Sequence, residues 1–308
     1  GGSQRGHAAH HRAPTRGVSG CHTLGAMPTP RRVLRRARAA VRRRLPQPGP
    51  VPAPAGEAPL PVRHVGMTRF SLFSPASPSW RTTRQQWESP EEYAAHLFSE
   101  ERMGPRVHIF CDLAVPLYQQ MAERHGYHHL VAYSPELPER WRSRLEETAR
   151  RYPVLRLVEN EGDKVNWVGH ARRLLREDGV DRDHLVFAFR VDDDDLLAVD
   201  YLDQVTPLVT PQHVGFAVSV ATGYAGLYED GRYTDLRVYR QLLPSMGQGA
   251  IGRWSSATST LDLVVVKNHT RTQVNRPVLL DGRQPAWLQT RHVGQDTAVA
   301  EGGDVSDV

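Results

Sequence analysis

From Val62 onward the chain alternates between short apolar runs and longer segments with a helical period. "VRHVGMTRF", residues 62 to 70, reads as a strand, and "SPASPSW" after it as a loop. "SPEEYAAHLFSEER" carries the signals of a helix start: Ser89 as cap, Pro90 at the first position and acids in the first turn. In "RVHIFCDLAVPLYQQMAERHG", Phe110, Leu113, Leu117 and Met121 recur at steps of three and four and predict one helical face. Pro116 must kink or restart that helix, and Gly126 can end it.

The alternation then repeats. "YHHLVAYS" predicts a second strand, "ERWRSRLEETARRY" a helix with Trp141, Leu145 and Ala149 on one face, and "PVLRLVEN" a third strand. "VNWVGHARRLLREDG" predicts a helix closed by Gly179, "HLVFAFRV" a fourth strand, and "VDYLDQVTPLV" another helix. Apolar strands alternating with helices predict an α/β fold, with a mostly parallel central sheet covered by helices on both faces. After Pro211 the texture changes to mixed strands and loops. "HVGFAVSVATGYAGLY" reads as strand and turn, "DGRYTDLRVYRQ" as a hairpin arm, "STLDLVVVKNH" as a strand, and "AWLQTRHVGQDT" as a polar loop.

Composition changes the picture mainly at the N-terminus. Of 308 residues, 39% are hydrophobic and 24% charged, enough for a packed core over most of the length. The formal charge of +5 is unevenly placed. Residues 1–60 hold 11 arginines and one acid, Glu57, whereas 28 basic and 33 acidic residues follow. "RRVLRRARAAVRRRL", residues 31–45, spaces Leu34, Ala37 and Val41 helically among eight arginines. Such a segment can lie on anionic lipid or touch nucleic acid, yet its apolar face is poor and a solvated, disordered extension is the simpler reading. "PQPGPVPAPAGEAPLP" is a Pro-rich linker. The expected organisation is a disordered tail and linker over 1–61, a domain over 62–300 and a disordered end over 301–308. Met27 is an alternative translation start. Two cysteines, Cys21 and Cys111, give no disulfide framework. No run of about 18 apolar residues appears, and no signal-peptide h-region. The expectation is a soluble, cytoplasmic protein, with peripheral contact at the inner face of the membrane through the basic tail.

The chemistry concentrates in "FRVDDDDLL", where Asp192, Asp193, Asp194 and Asp195 follow a buried strand. Adjacent carboxylates repel and resist burial. A divalent cation, Mn²⁺ or Mg²⁺, relieves both, and ligands in such sheets bind beyond the carboxyl strand ends. On an extended segment Asp192 and Asp194 share one side, Asp193 points away, and Asp195 turns toward the next helix or a water. The plain alternatives are a solvated acidic loop or a helix cap. No Gly-rich phosphate loop follows the first strand, which disfavours dinucleotide dehydrogenases and P-loop enzymes.

Four stretches, "MTRFS", "RVHIFCDLAVPLYQQM", "HHLVAYSPELP" and "FRVDDDDLL", with a weaker echo in "AWLQTRHVGQDT", resemble the putative rhamnosyl transferase family, nucleotide-sugar-dependent glycosyltransferases with a GT-A-like fold. The resemblance spans about residues 62 to 298. It implies that Asp192 and Asp194 hold the metal and, through it, the donor's diphosphate. Arg190 would steady carboxylates or phosphate, and Thr68, Arg69 and Phe70 would receive the nucleotide. It implies a nucleoside-diphosphate sugar donor, a deoxyhexose such as rhamnose, and a glycan, lipid-linked or small-molecule acceptor; no nucleic-acid partner is expected. Gln295 and Asp296 depart from the family pattern, where Asn is expected after the histidine.

His292 is a candidate third metal ligand or phosphate contact, with His269 a weaker one. Asp230, Asp235, Asp262 and Asp296 are candidates for the base that deprotonates the acceptor, with Asp296 and Asp262 preferred. Trp287 could stack on a sugar or belong to the core. Two other readings compete: an inactive binding module recruited by its basic tail, and a nucleotidyl-transferring enzyme.

Overall fold

The computed structural model describes residues 60–75, 87–162, 164–292 and 295. The expected tail, linker and C-terminal end lie outside the described residues, apart from Leu60 and Pro61.

The first strand, β1 (Val62–Arg69), lies at the centre of the main sheet. It pairs in parallel with β2 (Tyr127–Tyr133) on one side and β4 (His184–Arg190) on the other, and β2 pairs in parallel with β3 (Leu155–Glu159). The helices between these strands are α1 (Pro90–Leu97), α2 (Glu100–Val107), α3 (Val115–Ala122), α4 (Glu139–Arg151) and α5 (Trp167–Glu177). Beyond β4 the sheet continues through β9 (Gly249–Ser255), antiparallel to β4 and to β6 (Ala217–Val220). It ends at β11 (Val278–Asp281), parallel to β6. The first half thus has the parallel order that the alternation predicts.

The central strand β4 is buried along nearly its whole length because both faces are covered. Leu185, Phe187 and Phe189 face one core, packed with Tyr93, Phe110, Tyr118 and Trp141. Val186 and Ala188 face the other, against Trp167, Ala171 and Leu174 of α5. The two-residue period of a strand sends alternate side chains to the two helical layers.

Three elements of the main layer differ from expectation, and a fourth lies in the second sheet. Between α2 and α3, His108–Ala114 is wound as a π-helix. Each π turn takes an extra residue, so the buried face moves on: Phe110, Ala114, Tyr118 and Met121 are buried, while Leu113 and Leu117 are only half-buried. "VDYLDQVTPLV" is helical only over α6 (Tyr201–Val205); Pro207 then limits it to one 3₁₀ turn. "STLDLVVVKNH" gives only the short edge strand β10 (Thr260–Asp262), paired with β9 alone, and Val264 is 60% exposed.

The second sheet matters most for the site. Its order is β5 (Leu196–Leu197), β12 (Trp287–Arg291), β7 (Thr222–Glu229), β8 (Arg232–Arg240). The polar stretch expected to be a loop is therefore a strand up to Arg291. Leu288 pairs with Leu196 and Trp287 with Leu197, antiparallel. This pairing lays the residues after Trp287 alongside the aspartates. Trp287 belongs to the core: it is buried, its Nε1 donates to the Val220 carbonyl at 2.7 Å, and its indole lies so close to Gly223 that a Cβ there would sit 2.1 Å from it.

Candidate active site

The carboxyl ends of β1 and β4 lie side by side, with Met67 opposite Arg190 and the Val191 amide donating to the Met67 carbonyl at 3.1 Å. The four aspartates emerge there and line a cleft of about 270 Å³ together with Arg69, Arg102, Arg106 and His269. The segment is a turn rather than an extended strand, since the Asp195 amide bonds to the Asp192 carbonyl at 3.3 Å. Burial nevertheless alternates along it: Asp193 and Asp195 are buried, Asp192 and Asp194 partly exposed.

Each aspartate has its own protein partner. Asp192 accepts from Arg190 at 2.9 Å. Asp193 does not point out to solvent. It turns inward and takes the Ser71 amide (2.9 Å) and hydroxyl (3.0 Å) on one oxygen and the Arg106 guanidinium on the other. Ser71 adopts φ 44°, a left-handed conformation uncommon for a residue with a side chain. Asp194 receives the second arm of Arg106 at 2.8 Å, and Nε2 of His292 lies 3.4 Å from the same Oδ2. Asp195 turns to the β12 backbone, accepting from the Thr290 amide at 2.9 Å.

These environments separate the four groups electrostatically. Burial works to raise the Asp194 carboxyl, but Arg106 and His292 override it and hold it below the usual carboxylate range. Burial dominates at Asp193 and raises it in spite of Arg106. Asp195 is pushed well above the usual range by burial, then by the charges of Asp194 and Asp192. Asp194 is therefore held in its ionised form beside the cleft, while the environment of Asp195 works against its charge.

Beneath the turn runs a buried polar chain. The Thr68 hydroxyl donates to the Val191 carbonyl at 2.9 Å, so its oxygen must accept the 2.8 Å bond from His129 Nε2. Nδ1 of His129 is then the acceptor for the Tyr127 hydroxyl. His129 stacks on Tyr118 at 4.5 Å, and burial lowers its pKa to about 3, which fits the neutral ring that this chain requires. Gly66 makes room: a Cβ there would sit 2.3 Å from His129 Nδ1.

Several expected site residues fall elsewhere. Thr68 and Phe70 are both 0% exposed, so neither can receive a nucleotide; Thr68 supports the aspartate turn from below, and Phe70 packs on Phe110 at 5.4 Å. Of that trio only Arg69 lines the cleft. Asp262 is exposed on β10 and does not line it. Asp230 begins the tight β7–β8 turn with φ 49°, followed by Gly231 at φ 77°, and Asp235 pairs with Arg237 at 3.0 Å. Neither lines the cleft. Asp296 lies outside the described residues. His292, brought in by β12, and His269 do reach the site.

Arg102, Arg106, Ser71 and Thr290 were not singled out from the sequence. Arg102 and Arg106 stand one helical turn apart on α2 and are both 4% exposed. Two arginines on a segment leading into the apolar run "VHIF" are the available signal, since buried guanidinium groups need anionic partners.

Among the described residues no three His, Cys, Asp or Glu side chains gather closely enough to hold a metal ion by themselves. Asp194 and His292 offer two donors, a carboxylate oxygen and an imidazole nitrogen 3.4 Å apart. That pair fits a hard to borderline cation whose remaining ligands come from a phosphate-bearing substrate.

The chain matches the family described as "Putative rhamnosyl transferase" over residues 63–304. It belongs to that family. No curated protein matches the chain. Among solved structures it is similar to S. aureus TarS 1–349 in complex with UDP-GlcNAc, at 8% identity and a TM-score of 0.37, covering 76% of this chain and 60% of that one. It is also similar to the mannosyltransferase PcManGT from Pyrobaculum calidifontis in complex with GDP-Man and Mn²⁺, at 17% identity and a TM-score of 0.31, covering 68% of this chain and 52% of that one. A third likeness is the inositol-1-phosphate CTP transferase from T. maritima, at 12% identity and a TM-score of 0.30, covering 78% and 94%. The chain thus spans less than two thirds of the length of the first two of these structures. At these TM-scores the likenesses carry no argument about its chemistry.

Proposed function

We propose that this member of the family transfers a sugar, a deoxyhexose such as rhamnose, from a nucleoside diphosphate to an acceptor hydroxyl, using Mn²⁺ or Mg²⁺. The observation that carries the reading is Asp194 beside Asp192 in a cleft at the carboxyl ends of β1 and β4, with the buried His292 lying against Asp194 at 3.4 Å. Family membership supplies the sugar; the strand-end carboxylates supply the diphosphate.

Asp194 and His292 would hold the metal, with Asp192 facing the same cleft. When bound, the metal neutralises charge developing on the departing diphosphate. Arg69, Arg102 and Arg106 add fixed positive charge to the cleft wall, where a polyanionic leaving group gains most from preorganised cations. Arg190 orients Asp192. Gln241, Gln289 and Gln295 line the cleft with uncharged amides suited to sugar hydroxyls. We assign the acceptor's proton to Asp296, which follows the cleft-lining Gln295 in sequence. The acceptor is a glycan, a lipid-linked or a small-molecule hydroxyl. The basic tail would favour contact with anionic lipid at the inner membrane face and not with nucleic acid. No helix among the described residues is long and apolar enough to cross a membrane.

The test is donor hydrolysis in the absence of acceptor. Across UDP-, GDP- and dTDP-linked sugars, one should be cleaved slowly to the free diphosphate, and EDTA should stop it. Cleavage that survives EDTA removes the metal from the mechanism; cleavage of no donor by folded protein with Mn²⁺ contradicts sugar transfer.

A further inference from the structure

We propose that Arg106 is an exchangeable counter-ion: it occupies Asp194 until the metal arrives, then passes one arm of its guanidinium to the donor's diphosphate. This rests on the metal and diphosphate reading above and gives a role to a residue that the sequence reading left without one.

Three observations carry it. First, the two arms of Arg106 are divided: Nη1 holds Asp193 and Nη2 holds Asp194 at 2.8 Å. Second, the Asp194 oxygen taken by Nη2 is Oδ2, the one that lies 3.4 Å from His292 Nε2. A cation held by Asp194 and His292 would compete with Nη2 for the Asp194 carboxylate and would repel the guanidinium. Third, Arg106 lines the cleft that would receive the diphosphate, as does Arg102 one turn earlier. Arg102 donates to the Ser71 hydroxyl and to the Leu97 carbonyl, both at 3.2 Å.

Asp193 is the tether that makes exchange possible. It is gripped by Ser71 from the far side and keeps Nη1, so the guanidinium stays in place when Nη2 lets go. A planar guanidinium can serve two anions at once, and a phosphate oxygen matches its geometry as well as a carboxylate does. Without metal, Arg106 neutralises a carboxylate that is otherwise costly to bury; with metal and donor, the same charge faces the leaving group. Arg106 thus opposes metal binding to the empty site and favours diphosphate binding to the loaded one.

The opposite signs make the idea testable without turnover. Mn²⁺ binding to the full-length protein would be followed by the loss of the free-ion paramagnetic resonance signal, without nucleotide. Binding of UDP, GDP and dTDP would be measured calorimetrically at saturating Mn²⁺. In Arg106→Gln, Mn²⁺ alone should bind about tenfold more tightly, and the preferred diphosphate about tenfold more weakly, as expected for one charge-assisted bond lost on each side. Arg106→Lys keeps the buried charge but cannot span both aspartates, so it should move both affinities in the same directions by less; it decides the matter if the glutamine variant misfolds. Mn²⁺ affinity that is unchanged or weakened in the folded variants would overturn the exchange and leave Arg106 a structural ion pair. Failure of the unaltered protein to bind any of the three diphosphates with Mn²⁺ would instead contradict the proposed function.

Discussion

At the scale of single residues, the four consecutive aspartates divide into two kinds. All four line the cleft, but Asp193 and Asp195 are buried and satisfied by Ser71, Arg106 and the Thr290 amide, whereas Asp192 and Asp194 are partly exposed. Asp193→Asn should therefore act mainly on stability, costing about 1–3 kcal/mol in urea denaturation because Arg106 loses a charged partner in a buried setting. Asp194→Asn should keep the fold and weaken Mn²⁺-dependent diphosphate binding by roughly a hundredfold. Equal effects of the two on binding would contradict the division. The buried histidines set a second expectation. Burial lowers both His64 and His129 from 6.5 to about 3. The unfolded chain takes up their protons first, so the stability they contribute is complete above pH 6.5 and is lost as pH falls toward 3, by up to about 1.4 kcal/mol per pH unit for each group. Asp195 acts in the opposite sense, its raised carboxyl favouring the folded state as pH falls, so the histidine contribution is read as a difference. Between pH 6 and 4, His64→Gln should lose stability less steeply than the unaltered protein. Parallel slopes would show that His64 is not buried neutral.

At the scale of elements, the site depends on two pairings. The parallel pairing of β1 with β4 places Thr68 under Val191, and the antiparallel pairing of β5 with β12 delivers His292 across 98 positions of sequence to Asp194. Thr68→Val removes the bond to the Val191 carbonyl and frees the aspartate turn, so Mn²⁺-dependent diphosphate affinity should fall about tenfold, with Thr68→Ser restoring it. If valine and serine bind alike, the chain through His129 does not position the turn. Gly66→Ala should destabilise by about 1–3 kcal/mol by driving a methyl into His129. The strands and helices of the first half could be read from the sequence because periodicity reports which faces are buried. Three kinds of information were not in that pattern. The π-helical turn at His108–Ala114 changed the helical phase, so Leu113 and Leu117 were misplaced. β12 is polar because it belongs to a small second sheet, and so it looked like a loop. Arg102 and Arg106 look like ordinary surface charges until the fold buries them against the aspartates. The place of the aspartates at a strand end could be read, because they directly follow a buried strand, and they do line a cleft there; the base could not, because Asp230, Asp235 and Asp262 differ from a catalytic aspartate only in where the chain carries them.

At the scale of the whole molecule, the acidic remainder and the basic first 60 residues are separate in composition, and the first strand begins at Val62. A chain beginning at Pro61 should keep the thermal transition and donor hydrolysis of the full-length protein, and should lose binding to anionic vesicles that high salt weakens in the intact chain. Loss of the transition would place part of the folding unit before Pro61. The central claim concerns the cleft: a metal held by Asp194 and His292 recruits the diphosphate of a sugar donor. The most direct measurement is a calorimetric titration of the full-length protein with UDP, GDP and dTDP, in Mn²⁺ and again in EDTA. The account predicts that at least one of these diphosphates binds in Mn²⁺, that EDTA abolishes the binding, and that Asp194→Asn and His292→Ala each weaken it, the former by roughly a hundredfold, while the unfolding transition persists. Binding of equal strength in EDTA, or in folded Asp194→Asn with Mn²⁺ present, would contradict it.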